Sequence, residues 1–144
     1  MKQSPIYRQI NILANRQRRH FDQLTADVPF SGAQIRVLHY LLDHQDQNHK
    51  EEIFQKDIEE EFGLRPSTAT VLLQGMEKKN LLIREPSAQD GRCKKLTPTA
   101  QAAKYCEMLF SEINELTEKL TRSIAPDDLK TWQKVTKQII KNLE

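Results

Sequence analysis

Cysteine is scarce in this 144-residue chain: only Cys93 and Cys106 occur, which gives no disulfide framework. No apolar run approaches the roughly 20 residues that a helix needs to span a bilayer, and no secretory signal precedes the first helical segment. A cytoplasmic protein without a membrane partner is expected. The chain also lacks a phosphate-binding glycine-rich loop, a nucleophile elbow and a His/Cys set at metal-site spacing. Neither an enzyme nor a cofactor is expected. Excess charge of one sign is missing too, since the net charge is +2, so total charge does not argue for nucleic acid. The composition, 38% hydrophobic and 29% charged, lies in the globular range on its polar side. The length suffices for one domain-sized core, or for two small subdomains that share one.

Charge is distributed more tellingly than it is summed. From Arg65 to Lys95 there are seven cations against Glu77, Glu85 and Asp90, whereas from Glu51 to Glu61 there are six acids against Lys56 alone. The basic part coincides with a stretch, Gln55 to Leu96, that reads as helix, tight turn, helix and two short strands. Ile58 and Phe62 share one face of its first helix, and Gly63 can take the left-handed conformation that ends a helix. Pro66 suits the first position of the next helix, where its missing N–H has no partner to lose. Two helices joined by a three-residue turn with glycine are the signature of a helix-turn-helix.

On the second helix, from Pro66 to about Lys79, the residues Ala69, Leu72, Leu73 and Met76 fall in one sector at about 100° per residue and should be core. The opposite side collects Ser67, Val71, Gln74 and Lys78, flanked by Thr70, and holds no acid. Amides and hydroxyls can read base edges in a DNA major groove, and an apolar group can touch a thymine methyl. A helix N-terminus bearing Arg65, Ser67 and Thr68 favours phosphate oxygens.

Asn80 tolerates the helix-ending conformation, and Leu81 to Glu85 changes to a strand-like period. Pro86 to Gly91 is a turn-rich tip, and Arg92 to Leu96 returns as a second strand, which makes a wing. Arginine inserted in a narrow minor groove meets enhanced negative potential. Arg92 is so placed, Asp90 could fix the direction of its guanidinium, and Arg84, Lys94 and Lys95 would lie near the phosphate backbone.

The motifs Gln55-Lys56-Asp57-Ile58, Arg65-Pro66-Ser67-Thr68-Ala69-Thr70, Met76 to Leu82, Asp90-Gly91-Arg92 and Leu96-Thr97 resemble, in order and spacing, those of the MarR (multiple antibiotic resistance regulator) family of transcription regulators. The resemblance covers essentially the whole chain, and the Asp-Gly-Arg wing tip is its most specific part. Asn80 and Ala100 stand where many members have glycine. The resemblance implies a mainly α fold with a small β-wing. A winged helix-turn-helix lobe at 31–97 would be joined to N- and C-terminal helices at 1–30 and 98–144 that form a dimerisation region, all within one domain.

The outer segments fit that expectation. Pro5 to about Ala26 carries Ile6, Ile10, Leu13, Phe21 and Leu24 at helical spacing, with a basic opposite face of Arg8, Arg16, Arg18 and Arg19. That face reads as solvated, or as a contributor to phosphate or anionic-effector contacts. Ser31 to Gln34 forms a capping box for a helix with a buried stripe of Ile35, Leu38, Leu41 and Leu42. His39 and His44 lie about 140° apart around that helix, which is poor for sharing one metal ion. Polar loop is expected from His44 through His49 to Lys50, where a short strand would be needed to pair with the wing.

Thr97-Pro98 is expected to cap and open the longest helix, with Ala103, Cys106, Phe110, Ile113, Leu116, Leu120 and Ile124 at three- or four-residue steps. Pro126-Asp127-Asp128 starts the last helix, which carries Leu129, Trp132, Val135, Ile139 and Leu143. These helices and the first have more apolar stripe than the small lobe can cover. A homodimer is the simplest partner, and the resemblance implies one.

The expected function is that of a transcription regulator that binds double-stranded DNA sequence-specifically, as a homodimer on a pseudo-palindrome with recognition helices about 34–36 Å apart. Repression is implied by the resemblance alone. So is a pocket for a small aromatic or anionic effector between lobe and dimer helices, with Arg18, Phe21, Arg36 and Tyr40 as candidate lining. Redox control through Cys93, whose basic neighbours would favour a thiolate, stays open, although peroxide-sensing relatives usually carry the reactive cysteine in the first helix, where this chain has none. A winged helix used for protein–protein assembly also stays open.

Overall fold

A computed structural model describes residues 5–46 and 51–144. The helices are α1 (Ile6–Leu24), α2 (Gly32–Asp46), α3 (Gln55–Phe62), α4 (Pro66–Lys78), α5 (Ala100–Met108), α6 (Phe110–Thr121) and α7 (Pro126–Asn142), and the strands are β1 (Leu82–Pro86) and β2 (Lys94–Pro98). The chain forms two compact units, Met1–Phe110 and Ser111–Glu144.

In the first unit α2 is the central helix, with α1, α5 and β2 packed against it. Its capping box is formed in both directions: Gln34 N–H donates to Ser31 Oγ at 3.2 Å, and Ser31 N–H donates to Gln34 Oε1 at 3.0 Å. Ile35, Leu38 and Leu41 are buried as the stripe requires, and Leu42 is half-buried. Val37 is buried as well, because α2 is enclosed on more than one side. Phe30 meets Tyr105 edge-on at 5.4 Å. At Gly32 α2 lies tightly against α1, since a Cβ there would lie 2.8 Å from Phe21 Cβ.

Helix α3 ends at Gly63 in the left-handed conformation, φ 60°, and Leu64 N–H closes the turn on Glu59 O at 2.9 Å. Pro66 then takes the first position of α4, which buries Ala69, Leu73 and Met76 and half-buries Leu72. Asn80 ends that helix with φ 57°, and Leu81 N–H reaches back to Met76 O at 3.0 Å. Asn tolerates this region because its short polar side chain can bond locally.

The wing strands pair antiparallel with Leu82 opposite Pro98 and Pro86 opposite Lys94. The second strand therefore begins two residues later than expected and runs two residues further. Thr97 and Pro98 belong to this strand and do not open a helix. Thr99 is the cap of α5, accepting from Ala102 N–H at 3.1 Å while its hydroxyl donates to Asn80 O at 2.7 Å. The expected longest helix is also divided, since α5 closes at Leu109 (φ −98°, ψ 3°) before α6 starts. The polar loop expected from His44 to Lys50 does not begin at His44, because α2 continues to Asp46, and the rest of that stretch, 47–50, where a short strand was expected, lies outside the described residues. The wing does gain a partner just beyond, where Leu96 N–H donates to Ile53 O at 2.7 Å.

In the second unit a turn with Ser123 at φ 62° joins α6 to α7. Pro126 opens α7, with Asp127 and Asp128 in its first turn. Ile113 and Leu116 are buried, whereas Trp132, Val135 and Ile140 on α7 and Leu143 at its C-cap are exposed. On α1, in the first unit, Ile6, Ile10, Ile12 and Leu13 are exposed in the same way.

Candidate nucleic-acid interface

The exposed face of α4 is built by the helical period. With Ala69, Leu73 and Met76 turned inward, Ser67, Val71, Gln74 and Lys78 face solvent, and Val71 is 71% exposed. Val71 thus adds a methyl-bearing side chain to an otherwise polar face. Arg65, at the N-cap, and Thr68 are exposed beside them. Thr70 is half-buried and already engaged. Its hydroxyl donates to Pro66 O at 2.8 Å and accepts from Gln55 Nε2 at 2.9 Å.

The wing presents Arg92 with its side chain 92% exposed. Asp90 holds it from two directions: Oδ1 accepts from Arg92 N–H at 3.0 Å and from Arg92 Nε at 3.3 Å. These bonds, the backbone one first, keep the Asp90 carboxyl below its ordinary range. Lys94 is exposed. Lys95 lies 3.9 Å from Glu85. Arg84 is not a free cation: Nε donates to Glu77 Oε1 at 2.6 Å and a terminal nitrogen to Gln55 Oε1 at 3.4 Å. Glu77 belongs to α4 and Arg84 to β1, so the pair braces the wing against the helix beside it.

Two residues outside the expected set of site residues support the wing tip. Glu52 accepts from Ser87 Oγ at 2.5 Å and from Ala88 N–H at 2.9 Å. Ser87 is 8% exposed. Both bonds, that from Ser87 foremost, hold the Glu52 carboxyl below its ordinary range. Ser87 was visible as part of a turn-rich tip, but nothing near Glu52 in sequence marks it.

The candidate effector residues do not form one group. Arg36 lies over the Phe21 ring at 5.3 Å. Its buried Nε has no hydrogen-bond partner among the described residues. Burial, then the neighbouring Arg18, push its pKa down, and Asp22 opposes them. Arg18 itself is exposed and bonded to Asn15. Tyr40 instead packs on His44 at 4.2 Å and edge-on against Phe62 of α3 at 5.9 Å.

His39 pairs with Asp43 at 3.7 Å, and His44 Nδ1 contacts Tyr40 O at 2.8 Å, whereas His49 lies outside the described residues. Among the described residues no three metal-binding side chains cluster, and no helix is long and apolar enough to cross a membrane. Cys106 is buried, its thiol pushed up to about 11. Cys93 is exposed, with Sγ 4.0 Å from Asp90 Oδ2.

A short α3, a glycine turn, a solvent-facing α4 and a two-stranded wing define a winged helix-turn-helix protein. Residues 27–92 match the model of the MarR family. The structure superposes on the crystal structure of the transcription regulator MarR from Oenococcus oeni PSU-1 with a TM-score of 0.86 and 31% identity over 95% of this chain and 99% of that one. The chain therefore belongs to the MarR family of transcription regulators, which are not enzymes. It is similar in fold to S. aureus MepR solved in complex with DNA, with a TM-score of 0.83 and 21% identity over 97% of both chains. A mutant of MarR from E. coli matches with a TM-score of 0.66 and 18% identity, over 97% of this chain and 99% of that one. No curated protein matches the sequence.

Proposed function

We propose that the protein is a cytoplasmic transcriptional repressor that binds double-stranded DNA as a homodimer on a pseudo-palindromic operator and leaves it when a small effector binds. The observation that carries this reading is the face of α4 formed by Ser67, Val71, Gln74 and Lys78, with Val71 and Gln74 exposed at its centre and the exposed Arg92 on the adjoining wing. Amide and methyl groups on a helix are suited to base edges and thymine methyls. An arginine on a wing is suited to a narrow minor groove. MepR, of similar fold, has been solved with DNA.

In this reading Arg65, Ser67, Thr68 and Lys78 meet phosphates or the major groove, Gln74 reads a base, and Thr70 works through its bond to Gln55. Asp90 steadies Arg92 in the minor groove, and Arg84, Lys94 and Lys95 lie near the backbone. The lobe at 31–97 is the reading part, and residues 1–30 and 98–144 pair with a second copy. Exposed apolar side chains on α1 and on α7 support that pairing, because such surface is ordinarily covered. Arg36, stacked on Phe21 and beside Arg18, suits an aromatic or anionic effector, which acts by preferring a form that does not fit DNA.

The test is selection of duplexes from a random-sequence pool by the purified protein, together with its mass in solution. A recovered inverted repeat with half-sites about one helical turn apart, bound by a dimer, is expected. A monomer at working concentration, or no retained duplex at low ionic strength, would overturn the reading. Aromatic acids titrated into the complex test the release step and should free the duplex.

A further inference from the structure

The wing tip is tied to the segment in front of α3 by a continuous run of hydrogen bonds. The Glu52 carboxylate accepts from Ser87 Oγ and Ala88 N–H. Ser87 Oγ in turn accepts from Gln89 N–H at 3.1 Å and Asp90 N–H at 3.4 Å. Ser87 N–H donates to Cys93 O at 2.8 Å, and Cys93 N–H to Asp90 O at 3.0 Å, which closes the tip on itself. Asp90 then holds Arg92 by its backbone and its guanidinium. Glu52 is itself positioned, since the neighbouring Ile53 O takes the N–H of Leu96 from β2.

We propose that Glu52 and Ser87 are a positioning pair that sets the direction of Arg92, so that a carboxylate which touches no DNA determines how the wing enters the groove. This deepens the DNA-binding reading and rests on it. A two-stranded hairpin is marginal by itself, so its tip takes its orientation from whatever anchors it. Here the anchor lies 35 residues away, in a stretch rich in acids. The sign of the effect sets the proposal apart from simple electrostatics. Removing a carboxylate near a polyanion should strengthen binding, whereas removing a positioning carboxylate should weaken it.

The experiment compares the parent protein with Glu52→Ala, Arg92→Ala and the double variant, all binding the duplex that the parent selects from a random pool. Glu52→Ala should weaken binding about fivefold, and Arg92→Ala about tenfold or more. The double variant should lie within about twofold of Arg92→Ala, because Glu52 acts through Arg92. Amide hydrogen exchange without DNA gives an independent readout. Residues 88–90 should exchange on the order of tenfold faster in Glu52→Ala and in Ser87→Ala.

Unchanged or tighter binding by Glu52→Ala, losses that multiply in the double variant, or unchanged exchange at 88–90 would each overturn the proposal while leaving the wing reading in place. Parent-like binding by Arg92→Ala would refute the wing reading itself, and this inference with it.

Discussion

Replacing Lys78 by alanine should change how DNA binding responds to salt, whereas removing Arg84 together with its partner should not. Of the seven cations between Arg65 and Lys95, Arg84 is held by Glu77 at 2.6 Å, Arg92 by Asp90 at 3.3 Å and Lys95 by Glu85 at 3.9 Å. Lys79 donates to Gln34 Oε1 at 3.0 Å. Among the described residues no carboxylate lies within ion-pair distance of Arg65, Lys78 or Lys94. Each phosphate neutralised contributes about 0.9 to the salt slope on B-form DNA, so Lys78→Ala should make the slope shallower by about 0.9 per copy and about 1.8 for a dimer. Its deficit relative to the parent should then shrink about tenfold between about 50 and about 200 mM salt. The matched control is Glu77→Gln with Arg84→Gln, which removes the brace without altering net charge. It should weaken binding at every salt concentration and leave the slope within about 0.5 of the parent. Fluorescence anisotropy of a labelled selected duplex measures both. Parallel lines for Lys78→Ala and the parent, or a control as shallow as Lys78→Ala, would refute the division between free and paired cations.

Two glycine substitutions should differ for reasons the structure separates. Gly63→Ala adds a Cβ that meets nothing within 4 Å, so its cost is that of a left-handed backbone, about 1 kcal/mol. Gly32→Ala drives its Cβ to 2.8 Å from Phe21 and Asp22 and should cost about 1–3 kcal/mol by overpacking, and a reversed order in thermal unfolding would refute this. The carboxyls of Glu52 and Asp90 should titrate below their ordinary values of 4.5 and 3.8. Depressed values in the folded state contribute stability that is complete above those ordinary values and is lost as pH falls through the depressed ones. Carbon-detected NMR should therefore show the wing intact at pH 5, and Ser87→Ala should return Glu52 toward 4.5. A Glu52 titration unaffected by Ser87→Ala would refute the cause assigned to it. Finally, a thiol reagent at neutral pH should label Cys93 and spare Cys106, which is buried and pushed to about 11, until the protein unfolds, and equal rates would contradict that burial.

The parts of the fold that were legible in the sequence are those fixed within one or two turns of chain. Gly63, Pro66 and Asn80 punctuate α3, α4 and β1 because each satisfies a backbone requirement at its own position. The capping box at Ser31 and Gln34 is likewise local. Thr97-Pro98-Thr99 shows where locality fails. Proline after threonine favours a helix start at Thr97, but Pro98 is also the last residue opposite Leu82 in the wing, and pairing across sixteen residues prevails. The cap moves to Thr99, whose hydroxyl reaches Asn80 O.

The candidate site divides in the same way. The outward face of α4 follows from its period, but which cations remain free does not follow from counting them. Arg84 and Lys95 look alike in sequence, yet the first is braced at 2.6 Å and the second only loosely paired at 3.9 Å, because one faces α4 and the other its neighbouring strand. In the sequence Glu52 belongs to an acidic stretch set against the basic part from Arg65 to Lys95, and folding brings that acid to the wing tip. A charge tally assigns Glu52 the role of repelling DNA. Its hydrogen bonds to Ser87 and Ala88 are what assign it the opposite sign in the proposed positioning role, where losing the carboxylate weakens binding through Arg92.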